Sequence, residues 1–481
     1  RMLDYGVRIF NNSFGTVETH NNPYSVLGSD VYLALKEGVN KGALFVWSGG
    51  NVQSSVIPGK NGNLPRLDPS LEKGWLNVVG LIPKDFSNNL NFENLIPLSP
   101  AGSSKYWSLS ALGYVDRGNG DIEFGSSFAA PRVTGAAAAI KSKYSFMDGD
   151  LLRQTILSTA TDIGDLGVDD IYGWGLLNIE KALKGPAMFD RRLALGDKVN
   201  IQLDGGEYSF DNDISGDAGL NLTGNGTLTL NGRNSYTGET TIGSGAYLKI
   251  RKISGSRTVL SNGARLELEN ATVPEVVSNG TVINSGNSTI ESFTTTENAE
   301  TITDVNGTLI TGNANLNGKI VITNSKGEYF TKKGTEKIII SGNVSNNATV
   351  ETSSELLEAK AYPKLLEEKY KIKLRKKYRR IPIELLDFML VSNLKEEDEF
   401  VLDFLNNKNE KPLNVIEKLS GICHFPKFHF YFFAEFLELS EKLNIDLVRI
   451  SKRFDETKSL YFKNNAERNF FDAVKMLKDV E

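Results

Sequence analysis

Residues 124–140 read FGSSFAAPRVTGAAAAI. Ser127 stands where a glycine turn gives way to a run of small residues. Gly125 permits a tight approach, Phe128 onward predicts a helix, and Pro131 suits its first turn, where the missing N–H costs little. Ala129, Ala130, Gly135 and Ala136–Ala139 keep that helix thin, so it can run through the middle of a domain. A hydroxyl at a helix start has free N–H groups and the helix dipole beside it, which favour negative charge. Two readings fit these residues alone: a serine nucleophile, or a buried alanine-rich helix with a serine cap.

The flanking sequence predicts an α/β layer. VRIF (7–10) and ALFVW (43–47) are short apolar runs, as buried parallel strands require. Between them, Val31, Leu35 and Val39 recur at helical spacing, with Gly42 as a stop. Strand, helix, strand implies a right-handed crossover.

The chain of 481 residues changes composition twice. Residues 1–189 form the α/β part, 190–355 are rich in Gly, Asn, Thr and Ser, and 356–481 hold one glycine, Gly421. In the middle part NGTLTL (225–230), NGARLEL (262–268), NGTVI (279–283), NGTLI (306–310) and NGKIVI (317–322) pair an Asn-Gly turn with a short β run. Such repetition predicts a stacked β-solenoid, with hairpins as the alternative. Segments such as IELLDFMLVSNL and ERNFFDAVKMLKDV predict an α-helical C-terminal region.

Bulk properties exclude little. Net charge is −5, which names no nucleic-acid or membrane partner. A single cysteine, Cys423, excludes an internal disulfide and fits either a cytosolic or a cysteine-poor surface protein. No stretch is apolar enough to span a bilayer as a helix. RMLDYGVRIF lacks the order of a leader peptide and reads as the lead into a core strand, so further residues are expected upstream.

GSSFAAPRVTGAAAAI resembles the nucleophile motif of subtilisin-like serine proteases (peptidase S8), G-T-S-x-A-x-P, with Ser126 in place of threonine. The resemblance implies Ser127 as nucleophile. LFVWSGGN (44–51) resembles the strand whose asparagine supplies an oxyanion donor, here Asn51 after Gly49 and Gly50. VRIFNNSFG (7–15) resembles the strand that lies beside a substrate peptide, which implies Ser13, Phe14 and Gly15, with Gly49 and Gly50 opposite, as substrate-binding residues. SLSALG (108–113) falls where the family has A-P-G, with Leu112 replacing the proline. LLRQTILSTATDIGDLGVDDIYGWGLLNIEKALKGP (151–186) resembles the segment that closes the protease domain in subtilases of bacterial autotransporters: an amphipathic helix, a YGWG turn, a last helix.

TGNGTLTLNGRNSYTGETTIGSGAYLKI (223–250) resembles the autotransporter passenger-associated repeat. Leu228, Leu230, Tyr236, Ile242 and Leu248 form its core-facing set, and Gly232, Gly238 and Gly245 turn the chain. The resemblance implies a parallel β-helix that displays the protease at the cell surface or in secreted form. It implies a peptide or protein substrate, no nucleic acid, and no obligatory cofactor. Calcium is common in the family, but no ligand cluster stands out and no metal residue is assigned.

The triad is incomplete. Asp4 lacks the D-[ST]-G context, and His20 in VETHNNP lacks H-G-T and reads as a solvated loop histidine. Without a base Ser127 is expected to be close to inert. The alternative is a non-catalytic surface adhesin or display module. In the tail, EEKYKIKLRKKYRRIP (367–382) reads as a solvated charged face, and Cys423, His424 and His429 as aromatic-core neighbours short of a zinc set.

Overall fold

A computed structural model describes residues 2–15, 27–52, 61–84, 95–118, 121–324 and 339–353. All of them lie in the unit Arg1–Ala361. The expected C-terminal helices, the basic cluster, Cys423, His424, His429 and His20 lie outside the described residues.

The first layer is a five-stranded sheet. Strand β1 (Ile9–Asn12) leads to helix α1 (Asp30–Asn40), then β2 (Leu44–Ser48), β3 (Trp75–Pro83), β4 (Leu95–Pro97) and β5 (Ser108–Leu112). β1, β2, β3 and β5 run parallel, while β4 is antiparallel to the end of β3. The all-apolar run of β2 is buried throughout, because helices cover one face and aromatic residues the other. A small hairpin, β6 (Tyr114–Asp116) and β7 (Ile122–Phe124), then delivers the chain to helix α2 (Ser126–Lys143).

Three local expectations change. Helix α1 buries Tyr32 and Val39, with Leu35 half-buried, while Val31 is exposed. The Tyr32 hydroxyl bonds Asp68 at 2.6 Å, and that bond rotates the covered face by one residue. Helix α2 starts at Ser126 rather than Phe128, so Pro131 sits one turn inside it. Helix α3 (Gly149–Thr159) is buried along its whole length instead of being amphipathic. Its Arg153, fully buried, pairs with Asp150 at 2.9 Å and lies 3.8 Å from Glu72, which Arg192 clamps at 2.6 and 3.0 Å. Apart from half-buried Asp150, the polar residues of α3 therefore face packed protein.

Helix α2 lies on the sheet through Ala129, Ala130, Val133, Ala137 and Ile140, all fully buried. Its far end meets the next layer. Tyr144 donates from its hydroxyl toward Leu183 O (3.1 Å) and Ser209 O (3.0 Å), and its ring meets Phe210 at 5.5 Å. Burial pushes its phenol pKa up, so it stays a neutral donor.

That next layer is a fourteen-stranded parallel solenoid. Long strands β8 (Lys198–Phe210) and β9 (Gly219–Leu230) open it. From β10 (Thr240–Ile242) and β11 (Ala246–Ile250) onward, each rung contributes one strand to each side, up to Thr349–Thr352. The Asn-Gly pairs at 262–263, 279–280, 306–307 and 317–318 thus join successive strands of parallel ladders, not hairpins, while Asn225-Gly226 lies within the long β9. One core ladder runs Leu228, Leu248, Leu266, Val282, Thr301, Ile320, Val350. Leu228, Leu230, Tyr236, Ile242 and Leu248 are all fully buried. Gly245 takes a left-handed φ of +83°, as a turn residue does. Gly232 and Gly238 sit at bends and also serve close approach: a Cβ on either would stand 2.0–2.1 Å from the backbone of the preceding rung.

Truncation of the ladder is expected to be costly. Leu248→Ala should lower the stability of the solenoid by about 2–5 kcal/mol, whereas exposed Asn343→Ala should stay within about 0.5 kcal/mol. Urea unfolding of the full chain followed by circular dichroism measures both, and equal effects would contradict the rung assignment.

Candidate active site

Parallel sheets leave a crevice at the carboxyl ends of their strands. Here β1 and β2 are paired through Asn12 and Trp47, so Ser13–Gly15 and Gly49–Gly50 follow the two strand ends side by side. Phe14, 64% exposed, sets its ring edge-on to buried Trp47 at 5.7 Å. Trp47 in turn stacks on Trp75 at 5.3 Å, which makes this wall rigid.

The end of β2 is shaped by its glycines. Gly49 N–H donates to Val78 O at 2.8 Å, and a Cβ at 49 would stand 2.7 Å from that same oxygen. Gly50 adopts φ +113°, open to glycine but strained for other residues, and turns the chain toward the start of α2. Asn51 follows, its residue exposed. Its Oδ1 accepts from Ser126 N–H at 2.8 Å and from Ser126 Oγ at 3.0 Å. Ser126 Oγ itself accepts from Gly50 N–H at 3.1 Å. A backbone N–H can only donate, so the amide atom that meets it is the oxygen. The Asn51 Nδ2 therefore keeps its two protons for the other side.

That other side is the bare α-carbon of Gly125. A Cβ placed there would lie 3.7 Å from Asn51 Nδ2 and 3.6 Å from Ser127 N. The Ser127 N–H belongs to the first turn of α2 and has no intrahelical acceptor. Two donors thus flank one small space at a helix N-terminus, where a negative oxygen is stabilised. The first turn of α2 carries no acidic residue to oppose this.

Ser127 is the second residue of α2 and partly buried. Its Oγ donates to Ser13 O at 3.3 Å, and Ser13 Oγ donates back to Ser127 O at 2.9 Å. Ser13, Gly49, Gly50, Asn51 and Ser127 are therefore brought to one place, with Phe14 on its rim and Gly15 next along the same strand end. Asp4 lies in the turn before β1, whereas Ser13 lies past the far end of that strand. A four-residue strand rises about 13 Å, so Asp4 is not arranged to orient a base here. Among the described residues no group of three or more His, Cys, Asp or Glu is placed to hold a metal ion. No helix among them is long and apolar enough to cross a membrane.

Sequence reasoning missed the supports under this site. Gly80 and Gly113 meet beneath the start of α2: a Cβ at 80 would stand 2.8 Å from Ser126 Cα, and one at 113 would stand 2.9 Å from Gly80 Cα. Ser99 Oγ takes the Val52 N–H at 2.8 Å and fixes the chain after Asn51. Leu112 stands at the β5 end without disturbing it, since Gly113 N–H still bonds Leu81 O at 2.7 Å. Gly80→Ala should cost about 1–3 kcal/mol by forcing the helix start outward. Gly125→Ala, in extended backbone where the added Cβ makes only ordinary van der Waals contacts, should stay within about 0.5 kcal/mol. Thermal melts of the two variants test this, and the reverse order would contradict the placement of α2.

Comparison with known proteins agrees with this arrangement. Residues 1–175 match the Subtilase family (Peptidase_S8). The autotransporter lipoprotein NalP of Neisseria meningitidis serogroup B is 33% identical over 306 residues, covering 55% of this chain and 28% of that protein. An extracellular serine protease of Serratia marcescens is 29% identical over 298 residues, 51% of this chain and 28% of that one. Subtilisin DY of Bacillus licheniformis is 31% identical over 156 residues, 31% of this chain and 51% of that one. The chain thus spans under a third of the length of the first two relatives. With the strand ends, the helix start and the parallel solenoid already described, the N-terminal segment, residues 1–175, carries a match to the Subtilase family, and the chain is similar to an autotransporter lipoprotein and to extracellular serine proteases.

Proposed function

We propose that the chain carries the nucleophile half of a subtilisin-like serine endopeptidase site. In this reading Ser127 Oγ attacks a peptide carbonyl. The oxygen of the tetrahedral intermediate takes hydrogen bonds from Ser127 N–H and Asn51 Nδ2. The substrate main chain lies as an added strand along Ser13–Gly15, opposite Gly49–Gly50. The observation that carries the reading is the Asn51 amide, held by its oxygen on Ser126 so that its nitrogen is free beside Gly125.

The same reading makes the chain catalytically silent on its own. Its three histidines are His20, His424 and His429, none in an H-G-T setting. Ser127 Oγ points its proton at a backbone carbonyl, which cannot accept it as a base. An upstream aspartate and histidine, as the family resemblance implies, would complete the site. Residues 1–189 then serve as the peptidase part, and 190–355 as the passenger solenoid that presents it at the cell surface or in secreted form. Calcium remains a family property with no residues assigned to it here. The hydrogen bond from Ser127 to Ser13 also suits a second reading, a display module whose serine has no chemical task.

A fluorophosphonate probe separates the parts of this proposal. The chain as it stands should label no more than its Ser127→Ala variant. Joined to the aspartate- and histidine-bearing segment of a subtilase relative, it should label at Ser127. Asn51→Ala should then slow labelling by about a hundred- to a thousandfold, the loss known for the same donor in a well-studied subtilase. Strong labelling of the chain alone would contradict the missing base. No labelling of the joined chain, with the fold intact by circular dichroism, would favour the display module.

A further inference from the structure

Pro131 lies at the sixth position of α2. In an α-helix the N–H of residue 131 would bond the carbonyl of residue 127. Proline has no N–H, and its ring pushes against that carbonyl. The Ser127 carbonyl therefore lacks the donor that residue 131 would supply in a regular helix. It is the main chain of the proposed nucleophile that loses its anchor.

The donor comes from another strand. Ser13 Oγ–H bonds Ser127 O at 2.9 Å across 114 residues of sequence. Ser13 Oγ is itself held, because it accepts from Asn11 Nδ2 at 3.0 Å. Asn11 Oδ1 accepts from Thr134 Oγ1 at 3.0 Å, about two turns beyond Ser127 along α2. Thr134 has one proton and two acceptors at that distance, Asn11 Oδ1 and Ala130 O, so it can hold Asn11 without leaving the helix unsatisfied. The donors run in one direction, from Thr134 through Asn11 and Ser13 to the Ser127 carbonyl. The reverse bond, Ser127 Oγ to Ser13 O, closes the contact.

We propose that Ser13, aligned by Asn11 and Thr134, is a positioning residue that replaces the helical hydrogen bond Pro131 removes and so fixes Ser127 and its N–H at the mouth of α2. This rests on the reading of Ser127 as nucleophile, and it adds a role to the Ser13 side chain distinct from any contact of its main chain with substrate. This set of hydrogen bonds ties the helix start to the end of β1. A serine held only by its own helix would lack that second anchor on the sheet.

The test places a thiol at the site, so that no base is needed. In a Ser127→Cys, Cys423→Ser chain, the rate of iodoacetamide alkylation is followed against pH. A thiol at a helix N-terminus beside free N–H donors should titrate below the ordinary value of about 8.5. Ser13→Ala should raise that apparent pKa by about half a pH unit or more, and Ser13→Thr, which keeps the hydroxyl, should restore it. In a Pro131→Ala background, where residue 131 regains its N–H, Ser13→Ala should have no effect. Asn11→Ala gives a milder rise and serves if Ser13→Ala fails to fold. A depressed pKa untouched by both Ser13→Ala and Asn11→Ala overturns the positioning role and leaves the nucleophile reading standing. A Ser13→Ala effect of equal size with and without the Pro131→Ala change overturns the link to the missing N–H. A thiol that titrates normally in every variant removes the nucleophile reading itself.

Discussion

The Asn51 side chain joins two elements that the sequence keeps 75 residues apart. Its oxygen takes both donors of Ser126 and so pins the first turn of α2 to the end of β2. One amide thereby does two things. It satisfies a helix N-terminus that would otherwise be short of acceptors, and it leaves a pair of protons aimed at the space beside Gly125. Everything proposed for the site depends on that orientation, because a reversed amide would present an acceptor where a developing oxyanion needs a donor.

The surrounding packing makes the orientation hard to change. Gly49, Gly80 and Gly113 let three strands and the helix start approach more closely than any Cβ would allow. Beneath them the stacked aromatics Trp47 and Trp75 fill the far face of the sheet. At its other end α2 is held by the solenoid, through Tyr144 and the aromatic contact with Phe210. The helix is thus fixed at both ends by different parts of the fold. The first solenoid strands therefore contribute to the mechanical support of the site.

Much of this was legible in the sequence because it is local. The apolar runs became β1 and β2, shifted by one or two residues, and the Asn-Gly repeats after Asn225-Gly226 became rung turns with the expected core set. What the sequence hid depends on contacts made at a distance. Val31 looks as apolar as Val39, but the Tyr32–Asp68 bond decides which face is covered. The polar residues of α3 look solvated until Glu72 and Arg192 close over them. Pro131 reads as a first-turn residue unless the helix is known to begin at Ser126. The Asn11–Thr134 pair, 123 residues apart, carries no local signal at all. Gly232 is at a bend, as the sequence offered, and only the stacked rungs reveal it as a point of contact as well.

Neutron diffraction from a deuterium-exchanged crystal of the chain would read the decisive amide directly. The account predicts deuterons from Ser126 N and Ser126 Oγ converging on one Asn51 atom, and two deuterons on the other atom directed toward Gly125. Deuterons on the atom that faces Ser126, or an Asn51 side chain turned away into solvent, would contradict it.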